Sequence, residues 1–254
     1  MTRMATLFFA SAVLFGMTLV MADEPQEVKA DAPQEVTADA PQEVKADAPK
    51  ASKAAKAIKL FNGTDLEGWQ AHLVDPNVKM EDVWSVEEGI LVCKGEPFGF
   101  LHTKEKYTNF RLVVEWRWAP GEEPGNSGVL LRITGDPPTF LAKCVEAQLK
   151  HGDAGDIWGF YGFEVAGAKE RFVEVDHEVI GKFMGVKKIK DAEKPAGEWN
   201  RYVITAKGDK LYLTINGERV NQARNMTVEP GTIGFQSEGG VIHFQTIQLT
   251  PLEE

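Results

Sequence analysis

The sequence predicts an all-β domain, a sandwich or jelly roll of two antiparallel sheets, and three observations lead to this fold class. From Ile58 onward, short runs rich in β-branched and aromatic residues alternate with turns of Gly, Pro, Asn and Asp. The pair Asn216-Gly217 is the sequence signal of a tight type I′ hairpin. No segment shows the long 3.6-residue apolar period of a helix, which argues against Rossmann and TIM-barrel architectures.

Residues 1–22 have the pattern of a secretory signal peptide. Arg3 supplies the positive charge, an apolar run follows it, and the small residue Ala22 ends the segment. The run is at the short limit for a transmembrane helix, so an uncleaved anchor is the alternative to cleavage. We therefore expect an exported protein that is periplasmic, at the cell surface or secreted, with no membrane segment apart from this one.

An octapeptide repeat follows over residues 23–54. The unit at 23–30 recurs at 31–38 and at 39–46, and then decays. Each unit carries one Pro and one Val and no aromatic residue, so it buries too little apolar surface to offset its ordering entropy. We predict a disordered tether here, and a single domain with a sizeable core over residues 55–254.

Composition excludes several classes of function. The formal net charge is −10 at pH 7 and no basic run is present, so nucleic acid is not an expected partner. The two cysteines, Cys93 and Cys144, are too few for a disulfide-stapled miniprotein or a zinc ribbon. An oxidising compartment permits a bridge between them, but two free thiols are expected. Nothing in the sequence indicates the oligomeric state.

Nine strands are predicted within the domain, at 84–86, 89–93, 110–118, 128–133, 143–149, 201–205, 210–215, 231–236 and 241–247. Alternation gives three of them, from 110 to 149, one apolar face and one mixed face each. If these three are neighbours, their mixed faces bring together Glu115, Arg117, Arg132, Glu146 and Gln148. A solvated face with cross-strand ion pairs is the alternative. Leu130 and Cys144 on the same faces favour a partly covered cleft.

Eight motifs, in the right order between about residues 58 and 252, resemble the 3-keto-disaccharide hydrolase domain family. They lie at 60–69 (LFNGTDLEGW), 84–91, 107–117, 125–132 (GNSGVLLR), 145–149 (VEAQL), 195–202, 213–217 and 231–236. The sequence departs from the family pattern at Val145, which replaces a Tyr. It also departs at 171–194, which looks like a subfamily-specific insertion or a divergent loop.

The resemblance implies a concanavalin A-like jelly roll that acts on an oxidised sugar or glycoside whose ring C3 is a ketone. The ketone acidifies the proton on C2, so a base can remove it while the C1 substituent leaves, and water can then add back. Such a hydrolysis needs a base, a stabiliser for the enolate oxygen and an acid for the leaving group. Two other functions stay open: a non-catalytic carbohydrate-binding module on a surface tether, and a tethered structural or adhesion protein.

Three residues are predicted to be catalytic. Glu146 is the expected base, because it lies in mid-strand inside a matching motif, and an ion pair with Arg132 is its alternative role. Arg132 is the expected clamp for the enolate or a hydroxyl, since a planar guanidinium suits oxygen-rich ligands; pairing with Glu115 or Glu146 is the alternative. His151 follows the Glu146 strand and is the expected acid, because histidine titrates near neutrality, although a lone loop histidine is often merely solvated.

Seven further residues are predicted to contact the sugar: Glu115, Arg117, Asn126, Ser127, Gln148, Asp156 and Trp158. Two of them lie on a turn bracketed by Gly125 and Gly128, whose alternative role is backbone geometry alone. Trp158 begins an aromatic group that either stacks on a sugar face or packs in a core. Three other tryptophans are expected in the core: Trp69, Trp84 and Trp199.

Two carboxylates after the Glu146 strand are candidate metal ligands. Asp153 and Asp156 flank Gly155 and carry the oxygen ligands that a divalent cation takes. Their spacing fits no complete EF-hand pattern, so no cofactor is predicted and a divalent cation stays the alternative.

Overall fold

The computed structural model describes residues 55–253. The predicted signal peptide at 1–22 and the predicted tether at 23–54 lie outside the described residues. Within 55–253, no helix has both the length and the apolar character needed to cross a membrane.

The regular secondary structure of the described range is almost wholly strand, which confirms the predicted all-β class. One short helix, α1 (Met80–Val83), and one 3-10 turn (Lys169–Arg171) interrupt them. The strands are β1 (Ile58–Lys59), β2 (Trp69–Leu73), β3 (Trp84–Glu87), β4 (Ile90–Cys93), β5 (Gly99–Thr103), β6 (Phe110–Trp118), β7 (Gly128–Thr134), β8 (Lys143–Gln148), β9 (Ile157–Phe160), β10 (Phe172–His177), β11 (Gly181–Val186), β12 (Asn200–Lys207), β13 (Lys210–Ile215), β14 (Glu218–Ala223), β15 (Thr232–Ser237) and β16 (Ile242–Pro251). Each of the nine predicted strands is present.

The strands form two antiparallel sheets, here called sheet I and sheet II. Sheet I has the order β14-β13-β12-β6-β16-β4-β3, with β1 paired to β16, and sheet II has the order β10-β11-β9-β8-β7-β15-β5-β2. The main core lies between them, because alternate residues of both sheets enter one buried cluster, such as Leu112 and Trp116 of β6 and Val129 and Val145 of sheet II. This is the predicted two-sheet sandwich.

The predicted meeting of five polar side chains on one face is wrong. β6 carries Glu115 and Arg117 and lies in sheet I, between β12 and β16. β7 and β8 pair with each other in sheet II. Residues 119–127 therefore carry the chain from one sheet to the other. Alternation predicts the face of a strand on which a side chain lies, but it contains no information about which sheet the strand joins.

Segment 171–194, predicted to be a subfamily-specific insertion or a divergent loop, contains two strands. Its first part forms the hairpin β10–β11, and β11 pairs with β9. The hairpin thus widens sheet II by two strands beside the strand that carries Trp158.

The outer face of sheet II, which points away from the main core, carries a second hydrophobic cluster. Its buried members are Phe100, Leu130, Ile133, Leu141, Ala142, Cys144 and Phe160. The loop 135–142 supplies two of them together with the half-buried Phe140. The outer face is therefore partly covered, as the apolar residues on the predicted mixed face suggest.

Candidate functional site

Glu146 lies on the outer face of sheet II, between Leu130 of β7 and Trp158 of β9 in the strand register. Its side chain is only 2% exposed, and no described residue donates a hydrogen bond to its Oε1. Burial is the main cause that raises the pKa of this carboxyl well above its usual range, and the charges of Glu238 and Asp156 raise it further.

Gly128 makes the room that this carboxyl occupies. A Cβ at Gly128 would overlap Glu146 Oε1 and would lie 2.8 Å from Gln236 Oε1. Gln236 is also 2% exposed, and its Oε1 likewise receives no hydrogen bond from residues 55–253. Two buried acceptors thus adjoin the glycine with no donor among the described residues, and a water molecule or the hydroxyl group of a ligand can supply one. Gly128 therefore contributes to the site because it has no side chain to displace the Glu146 carboxyl.

Two loops meet beside these acceptors. The Asn126 amide donates to the Gly239 carbonyl at 2.8 Å, and the Asn126 side chain hydrogen-bonds the Glu238 carboxyl. Asn126 Oδ1 is a third buried acceptor that has no donor among the described residues. Burial raises the pKa of Glu238 to about 7, although Asn126 and Lys150 act to lower it. The site therefore holds two acidic groups whose pKa values are both raised.

An ion pair borders the site on the β9 side. Asp156 is buried, receives the Lys187 ammonium and accepts the Lys188 backbone N–H at 2.7 Å. Lys187 Nζ also lies 5.1 Å from the centroid of the Trp158 ring. The Lys187 side chain is 43% exposed, so its positive charge is accessible to solvent. It lies beside Trp158, which is the register partner of Glu146. Both carboxylate oxygens of Asp156 are occupied in holding residues 187 and 188.

Ser127 and Gln148 hold the backbone of the site. The Ser127 hydroxyl donates to the Gln236 carbonyl at 2.9 Å. Gln148 Oε1 accepts the backbone N–H groups of Leu149 and Lys150, each at 2.8 Å. These two predicted sugar contacts lie next to Glu146 as expected, but the oxygen of each has a partner within the protein.

Arg132 points away from Glu146. The register of β7 shifts between Leu131 and Thr134, and Arg132 has φ +53°, so regular alternation ends there. Its buried guanidinium donates to the carbonyls of Thr108 (3.0 and 2.7 Å), Thr227 (2.8 Å) and Gly208 (2.9 Å). It pairs with neither of its two predicted acidic partners, because its donors satisfy backbone groups.

Glu115 and Arg117 occupy the outer face of sheet I, on the opposite side of the sandwich. The Glu115 carboxylate receives Arg201 at 2.8 Å and the Thr246 hydroxyl at 2.6 Å. The Arg117 guanidinium lies 4.5 Å from the centroid of the Trp199 ring. Trp199 is therefore a half-buried surface residue, whereas Trp69 and Trp84 are buried in the core as predicted.

His151 lies at the rim of the loops that flank Glu146. Its backbone N–H donates to the Gly125 carbonyl at 3.1 Å, and Gly125 packs directly against the Gly239 backbone. The side chain is 42% exposed, and its Nδ1 lies 3.1 Å from Glu193 Oε1. The Glu193 carboxylate thus orients the imidazole of the predicted acid.

Metal ligands and thiols add little to the site. In residues 55–253, no three His, Cys, Asp or Glu side chains come together in a way that suits a metal ion. Cys93 lies in the main core and Cys144 in the outer-face cluster; both are buried, and both are free thiols, as predicted.

Sequence reasoning missed Gln236, Glu238 and Lys187. Gln236 ends a motif that carries the family resemblance, and its alternation with the apolar Phe235 is a signal for an outward polar side chain. Glu238 lies two residues after Gln236, so alternation places it on the same face. Lys187 carried no signal, because the segment around it departs from the family pattern.

Comparison with solved structures supports the fold. Two crystal structures from Parabacteroides distasonis, each provisionally described as a glycosyl hydrolase, are each 20% identical to this chain. One covers 78% of this chain and 94% of its own with a TM-score of 0.53, and the other covers 78% and 100% with a TM-score of 0.54. A Bacillus licheniformis β-glucanase is 11% identical, covers 80% and 100%, and has a TM-score of 0.50. At these identities the likeness shows the fold alone, a concanavalin A-like jelly roll.

Comparison with sequences identifies the family. A search of curated protein sequences found no match. The family model of the 3-keto-alpha-glucoside-1,2-lyase-like domain matches residues 56–250, a range that contains the whole sandwich core and the Glu146 site. By this match over most of its length, the chain belongs to the family of 3-keto-alpha-glucoside-1,2-lyase-like domains.

Proposed function

We propose that the protein is an exported enzyme that cleaves 3-keto-glycosides by elimination across C1 and C2, followed by hydration. The observation that carries this proposal is the buried Glu146 carboxyl, whose Oε1 has no partner beside the equally unpartnered Gln236 Oε1. A carboxylate that burial makes more basic is suited to remove the proton beside a ketone. The buried acceptors are suited to the hydroxyl donors of a sugar ring.

In the first step, the Glu146 carboxylate takes the proton from C2, and the electron pair left on C2 delocalises onto the C3 oxygen as an enolate. The Lys187 ammonium, which is 43% exposed and paired with Asp156, supplies positive charge for that oxygen. The electron pair then forms the C1–C2 double bond as the bond from C1 to the leaving oxygen breaks. Water adds to C1 of the resulting enone and gives the free 3-keto sugar.

Glu238 is the proposed acid for the leaving oxygen. With a pKa of about 7, it is protonated in a large fraction of molecules at neutral pH and gives up the proton readily. His151 is the competing candidate, because it lies at the same rim and pairs with Glu193. Glu238→Gln and His151→Ala separate the two. Loss of the true acid slows substrates with poor leaving groups much more than activated aryl glycosides, whose departure needs no proton.

The test is to incubate the purified protein with a 3-keto-glucoside and to measure sugar release. Glu146→Gln keeps the shape of the side chain and removes the base, so release should fall by about a hundredfold or more, the usual scale for general-base catalysis. Glu115→Gln, the same change on the other sheet, is the matched control and should keep the rate.

A folded Glu146→Gln protein with nearly full activity would show that the base lies elsewhere. If the unmutated protein binds sugars but cleaves no 3-keto-glycoside, with or without added divalent cations, the function is instead that of a carbohydrate-binding module.

A further inference from the structure

A groove lies at the β14 edge of sheet I, where the segment before β10 runs beside this strand. It encloses about 230 Å³ between residues 166–171 and the strands β13 and β14. Ala166 and Arg224 exchange two backbone hydrogen bonds, each at 2.8 Å, so one wall of the groove is held in place by main-chain contacts. Small residues form much of the lining: Ala166, Gly167, Ala168 and Ala223.

The charged side chains that line this cationic groove are all basic. They are Arg171, Lys210 and Arg224. The chain as a whole has a formal net charge of −10, so such a concentration of cations runs against its composition. None of the three forms an ion pair with an acidic side chain among residues 55–253. The groove therefore presents positive charge that is open to an external anion.

The register of β12 and β13 adds to this positive charge. Lys207 is the register partner of Lys210, and like charges directly opposite each other are destabilising. The turn between them carries Asp209, whose carboxylate accepts the Asn225 backbone N–H at 3.3 Å. An anion bound in the groove would offset the repulsion between the two lysines.

Two neutral polar side chains line the groove beside the cations. Tyr212 and Gln222 are register partners, so they lie side by side on the outer face of sheet I. Gln222 is exposed and Tyr212 is half-buried, with the Arg219 guanidinium 4.8 Å from the centroid of its ring. Amide and phenolic groups both donate and accept hydrogen bonds, as the hydroxyl groups of a sugar require. The lining thus combines positive charge with partners for hydroxyls.

This combination suits an acidic sugar better than it suits other anionic partners. The planar fork of an arginine binds a carboxylate or a similar oxyanion at two points. A surface that binds a lipid bilayer inserts apolar side chains into it, and no residue that lines the groove is a large exposed hydrophobic. Single-stranded nucleic acid stacks its bases on aromatic rings, but the ring in this groove, Tyr212, already lies against Arg219.

We infer that the cationic groove is a second binding site, which takes a sugar chain that carries carboxylate or sulfate groups. The inference does not depend on the proposed elimination, because the groove contains neither Glu146 nor another residue of that site. The two sites are neighbours through Arg171, whose Nη1 donates to the Lys187 carbonyl at 2.7 Å and to Asn221 Oδ1 at 2.8 Å. Since Arg171 also supports the fold in this way, the test leaves it unchanged.

Surface plasmon resonance with immobilised polymers tests the inference on the purified protein. The probes are alginate, which carries carboxylates, dextran sulfate, its neutral parent dextran, and polyglutamate, which carries carboxylates but no hydroxyl groups. The protein should bind alginate or dextran sulfate, and the better of the two at least about tenfold more tightly than dextran or polyglutamate. Added salt should weaken this binding, because the charges lie at the surface.

A double variant locates the binding in the groove. Lys210→Ala combined with Arg224→Ala changes two exposed side chains, so the protein should fold, and its affinity should fall at least about tenfold, the scale of one lost charge-assisted hydrogen bond. Lys104→Ala combined with Lys106→Ala removes the same charge from two exposed positions outside the groove. This matched control should bind as the wild type does.

Four results would overturn the inference. They are no binding to either acidic polysaccharide, equal binding to dextran, equal binding to polyglutamate, and an equal loss of affinity in the two double variants. Preference for alginate or for dextran sulfate assigns the anionic group as carboxylate or sulfate, and either preference supports the site. Sugar release from a 3-keto-glucoside is measured separately, so its absence would refute the elimination and leave the groove as a binding site.

Discussion

Replacing Glu238 by Gln should stabilise the protein at alkaline pH and change its stability little at acid pH. The folded state raises the pKa of this carboxyl from an ordinary value near 4.5 to about 7, mainly through burial. A raised pKa in the folded state means that the folded protein holds its proton more tightly than the unfolded chain does. Stability is therefore lost as the pH rises from about 4.5 to about 7, and the loss is complete above that range.

The size of this loss follows from the shift itself. Each unit of pKa difference between the folded and unfolded states corresponds to about 1.4 kcal/mol. For Glu238 the full effect is about 3 kcal/mol in the free energy of unfolding. Glutamine has no proton to release, so the variant escapes this penalty and keeps a side chain of nearly the same shape beside Asn126.

Urea unfolding at pH 4.5 and pH 8 measures the difference. The gain in unfolding free energy of Glu238→Gln over the wild type should be larger at pH 8, by about 3 kcal/mol. Glu115→Gln is the control of opposite sign, because hydrogen bonds from Thr246, Arg201 and Gln245 lower the pKa of Glu115. Its loss of stability should be greater at pH 8. A difference between Glu238→Gln and wild type that is the same at both pH values would refute the reasoning.

Three further results are expected. Gly128→Ala should fold but displace the Glu146 carboxyl, which its Cβ would overlap, so sugar release should fall at least about tenfold while circular dichroism stays native. Arg132→Lys should lower the unfolding free energy by about 2–4 kcal/mol in urea and leave the KM of the folded fraction unchanged, because the guanidinium serves three carbonyls and no substrate. Burial raises the pKa of Cys93 to about 12 and that of Cys144 well above its usual range, so iodoacetamide should label neither thiol in the native protein, and mass spectrometry should find two adducts after denaturation without reduction.

The strands and their faces were predictable because alternation is a local property. β6, β7 and β8 each show one apolar face in the sequence, and that face lies in the main core in the structure. The exception is Ile133, which follows the register shift in β7 and joins the outer-face cluster. The assignment of Glu146 to the outer face followed from the same alternation. Alternation did not predict the direction of Arg132. Arg132 has a positive φ and lies in the register shift of β7, so its side chain points towards the turn between β12 and β13. A glycine in the sequence would have indicated a positive φ, but an arginine at this position gives no such signal.

Strand neighbours were not predictable, because pairing in an antiparallel sandwich joins segments that are far apart in sequence. β6 and β7 follow each other in the chain and lie in different sheets, whereas β7 pairs with β15, roughly a hundred residues later. Glu115 and Arg117 were therefore grouped with the wrong partners. Gln236 and Glu238, which approach Glu146 through β15 and the loop that follows it, were absent from the predicted site for the same reason.

The chemistry of the site depends on these distant contacts more than on any single motif. Glu146 supplies the carboxyl, but its raised pKa comes from burial, to which Gly128 contributes by letting the side chain lie flat against β7 and β15, and from the charge of Glu238. A change that opens the outer face to water should therefore lower the pKa of Glu146 and make it a weaker base. The basicity of Glu146 thus depends on the burial of its carboxyl on the outer face of sheet II. That burial is established only when β7, β8 and β15 have paired.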